Sequence, residues 1–200
     1  KTIDNDLDWV ERSFGFATAV EEGTRAIRAA HAEARGADNG IGIVRLMGRE
    51  SGFIAAHASL AEADVNLCLV PEVPFTLEGE GGLLDVMERR LRDRRHAVVV
   101  VAEGAGQELV PARGTDASGN KKLGDIGVFL RDALFTGLRQ RGIDPTIKYI
   151  DPSYQIRSLP ANAYDRSFCL VLGQMAVHAG LAGKTDLVVG YHHRHFTHVP

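Results

Sequence analysis

Apolar positions along the chain switch repeatedly between a helical and a strand-like period. Over residues 9–35, Phe16, Val20 and Ile27 recur near helical spacing, alanine thickens late on, and Gly36 stands as a stop, so the pattern predicts a helix. Residues 41–46 form a short β-rich run that leads at once into Met47-Gly48-Arg49-Glu50-Ser51-Gly52. An alanine-rich helix is expected over 51–61, a strand over 65–70, a loop over 76–82 and a helix over 83–94. Residues 97–102 (AVVVVA) are continuously apolar, the mark of a strand buried on both faces of a parallel sheet. Residues 103–122 have no period and are dense in glycine and polar side chains, a loop long enough to be functional or mobile. A helix over 125–141, a strand over 146–150, a loop over 151–158, a helix over 161–182 and a strand over 186–191 complete the chain. Strand alternating with helix predicts an α/β fold of layered sheets flanked by helices.

Composition narrows the classes. Lys and Arg total 23 against 26 Asp and Glu, a net charge of −3, so no strong charge argues for nucleic acid or a membrane surface. No apolar run approaches the roughly eighteen residues of a span, and no signal sequence opens the chain. Cys68 and Cys169 both sit in apolar runs and read as reduced core residues of a cytoplasmic protein. The first residue is Lys1 rather than Met, and Pro200 follows a strand-like run directly. A piece of a longer protein is the expectation.

Candidate chemistry begins at Lys1-Thr2-Ile3-Asp4-Asn5-Asp6. If this segment is extended, Asp4 and Asp6 point the same way, and paired acids can divide the work of a base and a metal ligand. The plainer reading is a polar turn. In open α/β sheets ligands gather outside the carboxyl ends of the strands. Those ends carry Met47-Gly48-Arg49, Pro71-Glu72, Glu103-Gly104 and, over 151–157, Tyr154 and Arg157. Two arginine forks with carboxylates on one sheet edge point to a phosphorylated polar substrate, although each Arg taken alone also fits a solvated surface residue. Gly104-Ala105-Gly106 lacks the third glycine of a dinucleotide turn. In the tail, His193 and His195 would share a strand face and could hold a metal, but no acid or Cys is near them in sequence; a surface strand is the competing reading.

The motifs KTIDND, MGRESGFIA, PEVPF, AEGAGQ, YIDPSYQIRS and NAYDR, in this order, resemble the phosphofructokinases over essentially the whole chain. LEGEGG, AEGAGQ and DASGN are similar to the ATP-dependent plant-type subgroup. The resemblance implies a glycolytic kinase that transfers the γ-phosphoryl of ATP, with Mg²⁺, to the 1-hydroxyl of fructose 6-phosphate. It implies Asp4 as general base and Asp6 beside the Mg²⁺–phosphate cluster as a metal ligand. Thr2 would lie by the transferring group and Lys1 would bind the donor, with Met47 and Gly48 along the sugar and Arg49 on the moving phosphoryl. Glu103 would hold sugar hydroxyls, and Lys148, Tyr154 and Arg157 the 6-phosphate. It also implies a homo-oligomer and a division into 1–16 (end of the donor domain's first half), 17–150 (sugar-phosphate domain) and 151–200 (return to the donor domain). The family's Gly-rich donor loop would lie upstream of Lys1. Gly40 stands where many members have an arginine that reaches a neighbouring subunit. Glu72 matches an effector-site acid of allosteric members. The alternatives are a pyrophosphate-dependent enzyme, a non-catalytic regulatory subunit of the same fold, and a metal hydrolase built on the tail histidines.

Overall fold

Two apolar runs set the architecture by forming adjacent central strands. In the computed structural model, which describes residues 3–111, 114 and 123–200, β1 (Gly40–Leu46) pairs in parallel with β3 (His96–Ala102) from Gly40↔His96 to Leu46↔Ala102. The short β2 (Leu67–Leu69) and β4 (Thr146–Ile150) flank them, giving the all-parallel order β2-β3-β1-β4. Alternate residues of the central strands feed two cores. Ile41, Ile43, Val99 and Val101 pack with Leu84, Met87 and Leu91 of α3 (Leu83–Arg94) and with Leu130, Leu134 and Leu138 of α4 (Ile126–Gln140). Val44, Leu46, Val98 and Val100 pack on the other face with Ala19, Ile27 and Ala30 of α1 (Phe16–Arg35) and Ile54 of α2 (Phe53–Ala61). Burial on both faces is what a continuous apolar strand requires.

Several expectations are corrected here. The first helix begins at Phe16, not at residue 9, because Trp9 (φ 63°) and Gly15 (φ 83°) hold left-handed backbone that a helix cannot pass through. Residues 151–158 are not all loop: α5 (Ser153–Ser158) starts where Asp151 Oδ1 accepts from Ser153 N (3.0 Å) and Ser153 Oγ (2.5 Å). The tail is a hairpin of β5 (Val188–His192) and β6 (His195–Val199), reversed at His193 and Arg194 with φ 47° and 66°. His193 and His195 therefore share no strand face; His192 is the residue opposite His195. Both cysteines are exposed rather than core: Cys68 lies on the edge strand β2 and Cys169 on α6 (Ala163–Leu181). That helix leaves Leu170, Val177 and Leu181 exposed as well. Its first turn is anchored, since the buried Asp165 carboxylate accepts from Thr18 N (2.8 Å) and Thr18 Oγ (2.5 Å) of α1.

Candidate active site

The carboxyl ends of β1 and β3 are locked side by side. Glu103 N donates to Leu46 O (2.9 Å) and Gly104 N to Gly48 O (3.0 Å). Glycine is needed at both contact points. Gly48 has φ 131°, and a Cβ on Gly104 would lie 1.8 Å from the Arg49 carbonyl oxygen. Met47 is buried in the core beneath this junction, while Arg49 is exposed at its rim.

The acidic segment sits against the same junction. Ser51 Oγ donates to the Asp4 carbonyl at 3.5 Å, and Ile3 packs on the α1–α2 core. The segment is not extended, however. Asn5 has φ 61° and its Oδ1 accepts from Ser13 N at 2.7 Å, so strand alternation does not govern Asp4 and Asp6. Asp4 is partly buried, whereas Asp6 is exposed along a cleft of about 780 Å³ that it shares with Glu50, Ser51, Phe53 and Glu11.

Arg45, on β1, connects the remaining edge. Its guanidinium bonds to Asp151 and lies 3.8 Å from Glu103 Oε2. Burial works against the Arg45 charge, but the hydrogen bond to Asp151 and the fields of Tyr149, Asp151 and Asp125 raise its pKa above the usual value. Burial pushes the Asp151 carboxyl up, yet hydrogen bonds from Ser153 and Arg45 outweigh this and hold it below the ordinary carboxylate range. Burial raises the pKa of Tyr149, against the opposing pull of Arg45; its hydroxyl donates to Asp125 Oδ1 at 2.9 Å, and that oxygen also caps α4. Asp151 in turn starts α5, which carries Tyr154, 86% exposed, and the exposed Arg157.

Of the residues expected at the site, Asp4, Asp6, Met47, Gly48, Arg49 and Glu103 gather at the ends of β1 and β3, and Tyr154 and Arg157 follow β4 on α5. Lys148 stands apart. It lies inside β4 opposite Gly42, about 13 Å along the strand from the level of Leu46. Lys1 and Thr2 lie outside the described residues. Glu72 has a local duty, accepting from Gly52 N at 2.8 Å at the start of α2. Gly104-Ala105-Gly106 opens no helix. Sequence reasoning missed the roles of Arg45, which reads as one more residue of an apolar strand, and of Asp151, whose Asp-Pro-Ser run is an Asx-turn signal that could have found the start of α5. It also missed that an acid, Glu11, stands beside His192 and His193.

A parallel α/β sheet with acids, arginines and close-packed glycine turns at its carboxyl edge has the layout of an open α/β protein whose ligand crevice lies at that edge. Residues 1–188 match the Phosphofructokinase family, and the chain belongs to it. It is 54% identical over 208 residues to the ATP-dependent 6-phosphofructokinase of Amycolatopsis methanolica, covering all of this chain and 45% of that protein. It is 50% identical over 204 residues to ATP-dependent 6-phosphofructokinase 7 of Arabidopsis thaliana, covering all of this chain and 42% of that one. Among solved structures, the pyrophosphate-dependent phosphofructokinase of Marinobacter aquaeolei superposes with TM-score 0.73 at 25% identity, over 99% of this chain and 48% of that chain. The chain thus spans less than half the length of the relatives it matches.

Proposed function

We propose that this chain supplies the catalytic acids and the sugar-phosphate side of an ATP-dependent 6-phosphofructokinase, which transfers the γ-phosphoryl of ATP to the 1-hydroxyl of fructose 6-phosphate. The observation that carries the reading is the meeting of Asp4 with Ser51 beside the paired loops of Gly48 and Gly104. Phosphoryl transfer asks for a base, cations and alignment rather than a covalent nucleophile, and this edge offers each. Asp4 takes the proton from the 1-hydroxyl. Arg49 meets charge that develops on the moving phosphoryl. Met47 and Gly48 bound the sugar, Glu103 accepts from its hydroxyls, and Tyr154 and Arg157 hold the 6-phosphate from α5. Lys148, set apart on β4, and Lys1 and Thr2 complete the proposed set on the strength of the resemblance alone. Asp6 and Glu50 give one cleft a pair of hard oxygen ligands, which suits Mg²⁺. When bound, that ion would neutralise phosphate charge.

The proposed division stays at 1–16, 17–150 and 151–200, with a homo-oligomeric, cytoplasmic whole. Among the described residues no helix is long and apolar enough to cross a membrane. The second reading, a pyrophosphate donor, is favoured by the structural likeness to the Marinobacter protein. Coupled assays with ATP and with pyrophosphate, run in parallel on the full-length protein, separate the two. Turnover with pyrophosphate alone would sink the first.

A further inference from the structure

The β5–β6 hairpin and the segment after Asp6 meet at a cluster outside the proposed chemistry. Glu11 N donates to Tyr191 O at 2.9 Å, and His193 N donates back to Glu11 Oε1 at 2.9 Å, which fixes the carboxylate over the turn. Glu11 Oε1 lies 3.5 Å from His192 Nδ1 and 4.0 Å from His193 Nδ1. The two imidazole centroids are 4.0 Å apart. One ligand atom from each of Glu11, His192 and His193 falls within 4.8 Å of the others. His192 Nδ1 is shielded from solvent and has no hydrogen-bond partner among the described residues. A shielded imidazole nitrogen facing a fixed carboxylate and a second imidazole is chemistry that a cation would complete.

We propose that Glu11, His192 and His193 form a binding site for a borderline transition-metal dication such as Zn²⁺, Ni²⁺ or Cu²⁺. Two nitrogen donors and one oxygen suit these ions and not Mg²⁺, which demands oxygen ligands. Tetrahedral Zn²⁺ with bonds of ~2.0–2.2 Å sets its donors ~3.4 Å apart, a spacing that modest rotation of the exposed His193 ring reaches from here. The fourth position is left to water. Glu11 follows Asp6 by five residues, and both line one cleft with His192. An occupied site clasps the acidic segment to the hairpin.

Trp9 reports on the site directly. It is the single tryptophan of the chain, and its ring packs edge-on to His192 at 5.6 Å. Titration with Cu²⁺ or Ni²⁺ should quench its fluorescence, and calorimetry with Zn²⁺ should give one equivalent bound, with no heat from Mg²⁺ at the same concentration. Glu11→Gln and His193→Asn should each weaken Zn²⁺ binding at least ~10-fold, since each removes one of three ligands. Both keep the fold: Gln still accepts from His193 N, and Asn tolerates the left-handed turn. His198→Asn, at the far end of the hairpin beside Lys184 (3.1 Å), should change nothing. Absence of Zn²⁺ binding overturns the proposal, because Glu11 and His192 are then packing neighbours only. Equal losses in His198→Asn and His193→Asn also overturn it, as adventitious binding by surface histidines.

Discussion

Arg45 and Asp151 are joined across two strands, and the bond does two jobs. It orients Arg45 toward Glu103 (3.8 Å), and it presents the other Asp151 oxygen to Ser153 N (3.0 Å) at the start of α5. A strand residue thus sets the pose of the helix that carries Tyr154 and Arg157.

Arg45→Met should therefore act at a distance. Loss of the guanidinium frees Asp151 and loosens α5, so the KM for fructose 6-phosphate should rise by about tenfold with a smaller change in kcat, the pattern of lost uniform binding. Steady-state kinetics on the full-length protein check it. A fall in kcat at constant KM would point to a role in the chemical step instead.

The same carboxylate sets a pH dependence. Asp151 is held below its ordinary pKa in the fold, so its contribution to stability is fully present above the unfolded value and is lost as pH falls through the folded one. Thermal melts from pH 7 downward should show the chain losing stability below about pH 4. Asp151→Asn should be less stable at pH 7 and show a shallower acid limb.

Asp4→Asn keeps the shape of the side chain but cannot accept the hydroxyl proton. Turnover should drop by about 10² to 10⁴, with the KM for fructose 6-phosphate little changed. A loss below about tenfold would remove Asp4 from the role of base.

The two exposed arginines should separate by phenotype. In its proposed role Arg49 meets charge that grows only during transfer, so Arg49→Ala should depress kcat. Arg157→Ala should chiefly raise the KM for fructose 6-phosphate, because the 6-phosphate contact proposed for it is equal before and during transfer. An exchange of the two phenotypes would reverse the assignment.

Packing at Gly104 offers a test that involves no charge. A methyl there would lie 1.8 Å from the Arg49 carbonyl oxygen, so Gly104→Ala must part the loops after β1 and β3. Activity should fall sharply while the melting temperature drops by only a few degrees, since the strain of ~1–3 kcal/mol falls on one junction.

How far the sequence reached follows from the kind of signal each element carries. The helix from Leu83 to Arg94 and the strand from Thr146 to Ile150 are read to the residue, because their apolar periods end at charged or turn-forming neighbours. α5 is too short to show a period, and what marks its start is the local bonding of Asp151 Oδ1 to Ser153 N and Oγ. The true start of α1 is hidden in the sequence because the left-handed backbone at Trp9 and Gly15, which keeps residues before Phe16 out of the helix, leaves no mark on the apolar pattern. The turn at His193-Arg194 has none of the glycine or asparagine that marks a tight hairpin, so its left-handed backbone is invisible in the sequence. At the site, motifs point to Asp4, Arg49 and Glu103 as candidates, whereas the link from Arg45 to Asp151 is a tertiary contact between residues that each look local.

The register of β1 bears on how the protein is made. Gly40 pairs with His96 on one side and with Thr146 on the other, the latter more than a hundred residues further along the chain. During synthesis at roughly 5–20 residues per second, β1 stands with one edge unfilled for several seconds after it leaves the ribosome. Its residues are nearly all apolar, so that interval is when the nascent chain is most open to mispairing with another copy of itself. Translation that slows after β3, or a chaperone that covers this edge until β4 emerges, would be felt in yield before it was felt in activity.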